Sequence, residues 1–390
     1  MTLKETTSTL KNKFTNKLNS LQILRALAAI LVLLVHGTGV VKQVFNETYL
    51  NQYFVMGNCG VDVFFVLSGF IIFYTNYKLI GNPASFWGFI KKRFIRIYPI
   101  YWIVTLAILP AYLFFRSLGQ GDELSVNVLI PSFLLIPGYR SPILVSGWTL
   151  IHELLFYLLF STIILFKPKV YKTIILGWII SIVILFFINF FTINVELNNR
   201  YLLLLTHPQN MEFLMGCVAA WIVVKVKNKS FLKHHIYYVK LSVILSILLI
   251  ILSGFTPLIN LDLFNLRTGI HVLFYGLSAT ILVISLALLD LRKQNHHDNV
   301  IATPFSIDYL TKHITSFMIL LGEASYSIYL LHGLALSCLS KIMAALKLDR
   351  LLGSFTSSNL LFCLVILSGL LLYLYLELPL LNWMRRRFLH

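Results

Sequence analysis

The chain has 390 residues, 58% of them hydrophobic and 12% charged, with a mean hydropathy of +0.82. A typical soluble domain is about 45–50% apolar and about 25% charged. Too few polar residues remain here to cover a water-soluble fold, and disorder is excluded on the same ground. What is left is an integral membrane protein.

The net charge of +17 raises nucleic acid as a partner, but the placement of the charges, given below, argues against it. Cys59, Cys217, Cys338 and Cys363 form no CxxC pair. They indicate neither a zinc site nor a disulfide framework and read as small apolar fillers.

A transmembrane helix needs about 20 apolar residues. The intervals Lys172–Glu196, Lys240–Asp262, Arg267–Asp290 and Arg350–Glu377 enclose no charge at all. Ten spans are predicted: 23–42, 60–78, 95–115, 149–166, 172–193, 209–225, 240–258, 268–289, 316–340 and 357–378. The first is too long for a signal peptide, and no small-residue cleavage site follows it. The fold class is an all-α polytopic membrane bundle.

With both ends in the cytoplasm, 23 of the 32 Lys and Arg residues fall on the inside and eight in outside loops, and Arg25 opens the first span. That bias fits an even number of spans and accounts for the basic charge through anionic lipid. The expected organisation is a cytoplasmic tail over 1–20 and one membrane domain over 21–385, with no fused extracytoplasmic domain. The long outer loop 116–148 carries Pro131, Pro137, Gly138 and Pro142 around an apolar stretch. It is expected to fold back at the membrane surface or to re-enter.

Ionisable residues inside a bilayer are costly and mark function by default. Arg25 and His36 share the first span. Eleven residues are close to three turns and about 16 Å of rise, so both project to nearly the same side. Span four opens with Trp148 and reaches Glu153, placed in the outer half at a depth His36 can meet. A carboxylate there would orient the imidazole. Span nine carries Tyr326, Ser327, Tyr329 and His332; Asp62, Glu212 and His271 stand near the outer ends of their spans. Glu323 and Glu377 lie nearer the cytoplasm, where Glu377 is expected to pair with a basic residue. At the cytoplasmic foot of span three, Arg93 and Arg96 lie three apart on one helix face. Arginine forks suit phosphate oxygens, such as those of coenzyme A. No P-loop, GxGxxG, HExxH or GxSxG is present.

These residues form a pattern that resembles acyltransferase family 3, over about 20–385. Arg25-x10-His36 looks like the family's first-span signature, and Gly60-Val61-Asp62 through Ser68-Gly69-Phe70 its second-span motif. Arg93-x-x-Arg96 with Tyr98-Pro99 looks like its arginine motif. Ser146-Gly147-Trp148-Thr149-Leu150-x-x-Glu153, Glu212-Phe213-Leu214-x-Gly216, Ser325-Tyr326-Ser327-x-Tyr329-Leu330-x-His332 and Glu377-x-Pro379 follow in order. The resemblance implies a cytoplasmic acyl-CoA donor, most often acetyl-CoA, no metal, and a glycan acceptor such as lipopolysaccharide, capsule or exopolysaccharide. It also implies residence in the bacterial inner membrane.

Acyl transfer to an alcohol needs a base. His36 is the expected base, with Glu153 orienting it and Arg25 accompanying the donor. Arg93, Arg96 and Arg25 are the expected donor-binding residues. Trp148, Asp62, His332, Glu212 and Tyr329 are expected to bind substrate. A transporter or flippase for a glycan or lipid-linked sugar is the other class that ten spans with buried charges suit, although no inverted repeat is visible.

Overall fold

The computed structural model describes residues 18–49, 57–114, 121–191, 199–226, 234–254, 272–295 and 307–389. The tail 1–17 and His271 lie outside them. Among the described residues the fold is all α, with ten helices long and apolar enough to cross a membrane. They correspond one for one to the predicted spans.

The helices are α1 (Asn19–Phe45), α2 (Cys59–Asn76), α3 (Phe86–Phe114), α4 (Val126–Leu134), α5 (Gly147–Leu165), α6 (Pro168–Phe191), α7 (Arg200–Thr206) and α8 (Asn210–Val226). There follow α9 (Ile236–Gly254), α10 (Leu277–Asn295), α11 (Ile307–Glu323), α12 (Ser325–Ala345), α13 (Ser354–Leu372) and α14 (Leu378–Phe388), with a short helical turn, Leu348–Leu352, between α12 and α13. One π-helical turn, Val272–Gly276, leads into α10, and another, Tyr373–Glu377, joins α13 to α14.

Lipid tails are as apolar as leucine, so close packing rather than hydrophobicity holds such helices together. The contact of α2 with α8 shows how. A Cβ at Gly69 would collide with the Phe213 carbonyl oxygen, and one at Gly216 with the Val66 carbonyl oxygen. Two bare glycines facing each other's backbones let the helices touch along their length. Phe213 then stacks between Phe65 and Phe156, at 4.6 Å from each ring centroid. The start of α1 is fixed from afar: the Ser20 N–H and hydroxyl both donate to the Asp290 carboxylate of α10, at 2.7 Å. Proline at 208, beside His207, separates α7 from α8, and the Asn199 side chain caps α7.

Three helix ends differ from the expected spans. Helix α3 begins at Phe86, so Arg93 and Arg96 lie inside a helix rather than at its foot. The ninth span begins at Ser325, because Ala324 separates it from the amphipathic α11. The last span runs through α14 to Phe388, which carries Arg385 back against the bundle.

The described part of the loop before α5 folds back on the bundle. Helix α4 ends against the middle of α3: the Tyr98 hydroxyl donates to the Leu134 carbonyl, Tyr101 to Ser132 and the Trp102 indole to Phe133, at 2.8–2.9 Å. The Ile136 N–H donates to the Pro131 carbonyl and Leu135 N–H to Ser132, with Leu135 in the left-handed region at φ 52°. All four carbonyls that a helix C-terminus leaves open are therefore satisfied, as irregular backbone at membrane depth requires. Tyr98–Trp102 lie about 18–24 Å along α3 from its Phe114 end. The chain returns through Ile143, whose N–H donates to Ser132 Oγ, and starts α5 at that depth. Nearer the surface, Arg140 pairs with Asp122 and Glu123 and ties the loop together.

Candidate active site

The part of the bundle that holds Arg93 and Arg96 gathers the start of α1, α2 from Val61 to Ile72, the first half of α3, the first half of α5, the α11–α12 junction and α14. Between them lies a cavity of about 710 Å³. Its wall runs along α2 from Ile72 to Val61, about 16 Å of helix. Cavities of 300–1,000 Å³ are usual for ligand sites.

Five cations line it: Arg25, Lys92, Arg93, Arg96 and Arg385. Its carboxylates are Glu153 and Glu323, and Glu377 stands just behind the wall. Arg96 donates to Glu377 Oε1 at 2.5 Å, the Ser327 hydroxyl donates to Oε2 at 2.6 Å, and the Arg96 guanidinium lies over the Tyr326 ring. Glu377 is buried. The expected pairing of Glu377 with a basic residue is thus found, and that residue is Arg96. Arg93 lies in a different setting, over the rings of Phe89 and Tyr157. Its buried Nε has no hydrogen-bond partner among the described residues. A buried donor left open costs free energy that an anionic ligand would recover. With Glu377 counted, five positive charges face three negative ones, so the cavity suits an anion.

Glu153 lines this cavity. It stands six residues into α5, one turn before Tyr157, whose ring carries the Arg93 guanidinium. There its Oε1 accepts from the Tyr157 hydroxyl at 2.5 Å and from Ser68 at 3.3 Å. No hydrogen bond joins it to His36, so the expected orienting contact is not made. Arg25 does line the cavity, bonded loosely to Gln22 at 3.4 Å.

At the far end of the cavity the Tyr329 hydroxyl and Thr149 Oγ1 are 3.0 Å apart. The Tyr329 ring contacts Phe64 on one side and His332 on the other, at centroid distances of 5.7 and 5.5 Å. Beyond it the His332 ring faces His36 at 5.1 Å. Neither histidine lines the cavity; Tyr329 stands between. His36 is exposed and His332 is buried.

The remaining expected residues lie elsewhere. Trp148 packs against Phe65 and His152. Asp62 and Glu212 are fully buried where α2 meets α8 and lie against each other. None of the three lines the cavity, because the face of α2 that carries Asp62 is turned to α8. Lys92, Arg385, Gln22 and Thr149 line the cavity without having been singled out as site residues. Lys92 carried a signal as part of the basic run 91–96, and Thr149 as part of the fourth-span motif; Arg385 read as a charge at the chain's cytoplasmic end.

Comparisons with known proteins bear on what this site does. The family model described as "Acyltransferase domain", of acyltransferase family 3, matches residues 18–378. The exopolysaccharide production protein ExoZ of Rhizobium meliloti is 29% identical, across 86% of this chain and 93% of ExoZ. The O-acetyltransferase OatA of Staphylococcus aureus is 25% identical across 79% of this chain and 49% of OatA, so the chain spans about half of OatA's length. The acyltransferase MdmB of Streptomyces mycarofaciens is 31% identical across 37% of this chain. No solved structure matches.

Proposed function

The chain belongs to acyltransferase family 3 and is a multi-pass membrane O-acyltransferase; from that premise we propose that it moves an acetyl group from acetyl-CoA onto a hydroxyl of a cell-surface or secreted polysaccharide. The observation that carries this reading is the cationic cavity ending at Tyr329, with His36 just beyond. The excess of positive charge fits the phosphates of coenzyme A, and the open Nε of Arg93 is their first contact. Lys92 and Arg385 complete that site at the mouth. Arg96, already held by Glu377, adds field rather than a free fork.

An extended pantetheine arm then follows α2 inward past Arg25, over about 16 Å. Arg25 binds the donor or polarises its carbonyl. Glu153 holds the Ser68 and Tyr157 hydroxyls along this route and balances Arg25. The Tyr329 and Thr149 hydroxyls meet the acyl end. His36, reached by the acceptor from the opposite side, takes the hydroxyl proton as general base. Trp148 borders the acceptor's approach. The charge bias supports a cavity mouth and both termini on the cytoplasmic side of a bacterial inner membrane.

Polysaccharide as acceptor is supported by the names of ExoZ and OatA. The test compares, by mass spectrometry, the surface glycan of cells with the protein, without it, and with His36→Ala. The expected result is an added acetyl mass that disappears in the last two. A larger increment changes the acyl group. Unchanged glycan mass across all three overturns the reading.

A further inference from the structure

We infer that His332 is a second catalytic residue of the transfer, carrying the proton from His36 to the departing thiolate. The inference rests on His36 being the base.

Two local hydrogen bonds support it. His36 Nδ1 lies 2.9 Å from the Val32 carbonyl oxygen, and His332 Nδ1 lies 2.5 Å from the Tyr329 carbonyl oxygen. A carbonyl oxygen only accepts, so in each neutral ring the proton sits on Nδ1 and the lone pair on Nε2. Two imidazoles in ring contact therefore share one tautomer. Neither Nε2 hydrogen-bonds to a described residue. A purely structural histidine pair would be expected to use those nitrogens; here both are left for chemistry.

Their surroundings divide the work. His36 is exposed, and Gly39, one turn along the same face, has no atom within 4 Å of where its Cβ would stand. The acceptor has open access there. His332 is 6% exposed and follows by one turn Tyr329, which closes the cavity. His332 is thus the imidazole on the donor side.

The acceptor oxygen attacks the thioester carbonyl carbon, forming the C–O bond while His36 Nε2 takes the hydroxyl proton. The C–S bond breaks and its electron pair leaves with sulfur. The proton passes from His36 Nε2 to His332 Nε2 and then to the thiolate. Both imidazoles end neutral, and His332 receives and releases through one nitrogen with no change of tautomer.

The test uses membrane vesicles from producing cells, which carry the native acceptor, supplied with labelled acetyl-CoA. Label on glycan and free thiol are followed for His36→Ala, His332→Asn and His332→Ala. Asparagine keeps a donor for the Tyr329 carbonyl and lacks the distal nitrogen, so it separates folding from proton transfer. The expected result for His332→Asn is acetyl-CoA binding like wild type with turnover lower by about 100-fold or more. Added imidazole is expected to restore turnover in His332→Ala. His332→Asn turnover within about threefold of wild type, with His36→Ala inactive, overturns the relay and leaves His36 as the base. Full turnover in all variants overturns both assignments.

Discussion

Arg96 and Glu377 are 281 residues apart in the chain and 2.5 Å apart in the fold. Their ion pair joins the third span to the last and lies directly behind the cationic cavity. It divides two arginines that look equivalent in the sequence: Arg96 has its counter-charge, while among the described residues the Nε of Arg93 has no hydrogen-bond partner.

Removing one partner of a buried pair leaves the other charge uncompensated, at a cost of about 3–5 kcal/mol. Glu377→Ala is expected to lower the unfolding temperature of the detergent-solubilised protein markedly. Replacing both, as Arg96→Met with Glu377→Leu, is expected to recover most of the loss. Additive losses in the double variant would show that the pair does not couple.

Arg93 and Arg96 are expected to differ in donor binding. Arg93→Gln removes the open fork, and labelled acetyl-CoA should bind about 10- to 100-fold more weakly, the range for a charge-assisted hydrogen bond. Arg96→Gln should weaken binding less and stability more. Equal binding losses in the two variants would contradict the division of roles.

The loop before α5 depends on three side chains of α3. Trp102→Phe removes the donor to the Phe133 carbonyl, and Tyr101→Phe the donor to Ser132. Each leaves a buried carbonyl with one fewer partner, for a loss of about 1–3 kcal/mol. Limited proteolysis of loop 135–146 should quicken in both. Trp87→Phe, at a residue 68% exposed, is the control and should change nothing.

Gly69→Ala is expected to push α2 from α8, since the new methyl meets the Phe213 carbonyl oxygen. Overpacking of this kind costs about 1–3 kcal/mol. Gly88→Ala has open space around it and should be neutral. Size-exclusion profiles of the two variants in detergent will distinguish them; a monodisperse, fully stable Gly69→Ala protein would contradict the close α2–α8 contact.

The number of spans and their helical class were legible in the sequence, because hydrocarbon allows only internally hydrogen-bonded helices of about 20 apolar residues. Interval after interval without charge left little choice. Arg25, Glu153 and Tyr329 could be singled out as polar residues within apolar runs, and Arg93 and Arg96 as two forks on one helix face; all five meet in one cavity. The pairing of Glu377 with a cation followed from the cost of an isolated membrane carboxylate.

What periodicity could not supply was depth and direction. Counting residues from the start of α5 put Glu153 level with His36, on the assumption that the helix begins at the membrane surface. In the fold α5 follows a loop held by side chains of another helix, and Glu153 bonds to Ser68 and Tyr157 instead. Asp62 likewise looks available in sequence, yet two glycines bring α8 against its face and bury it with Glu212. Composition determined that this chain spans a membrane and which residues are too polar to lie there without cause. Only packing decided their partners, because a hydrogen bond or ion pair reaches about 3 Å, far finer than any placement of a helix end from hydropathy.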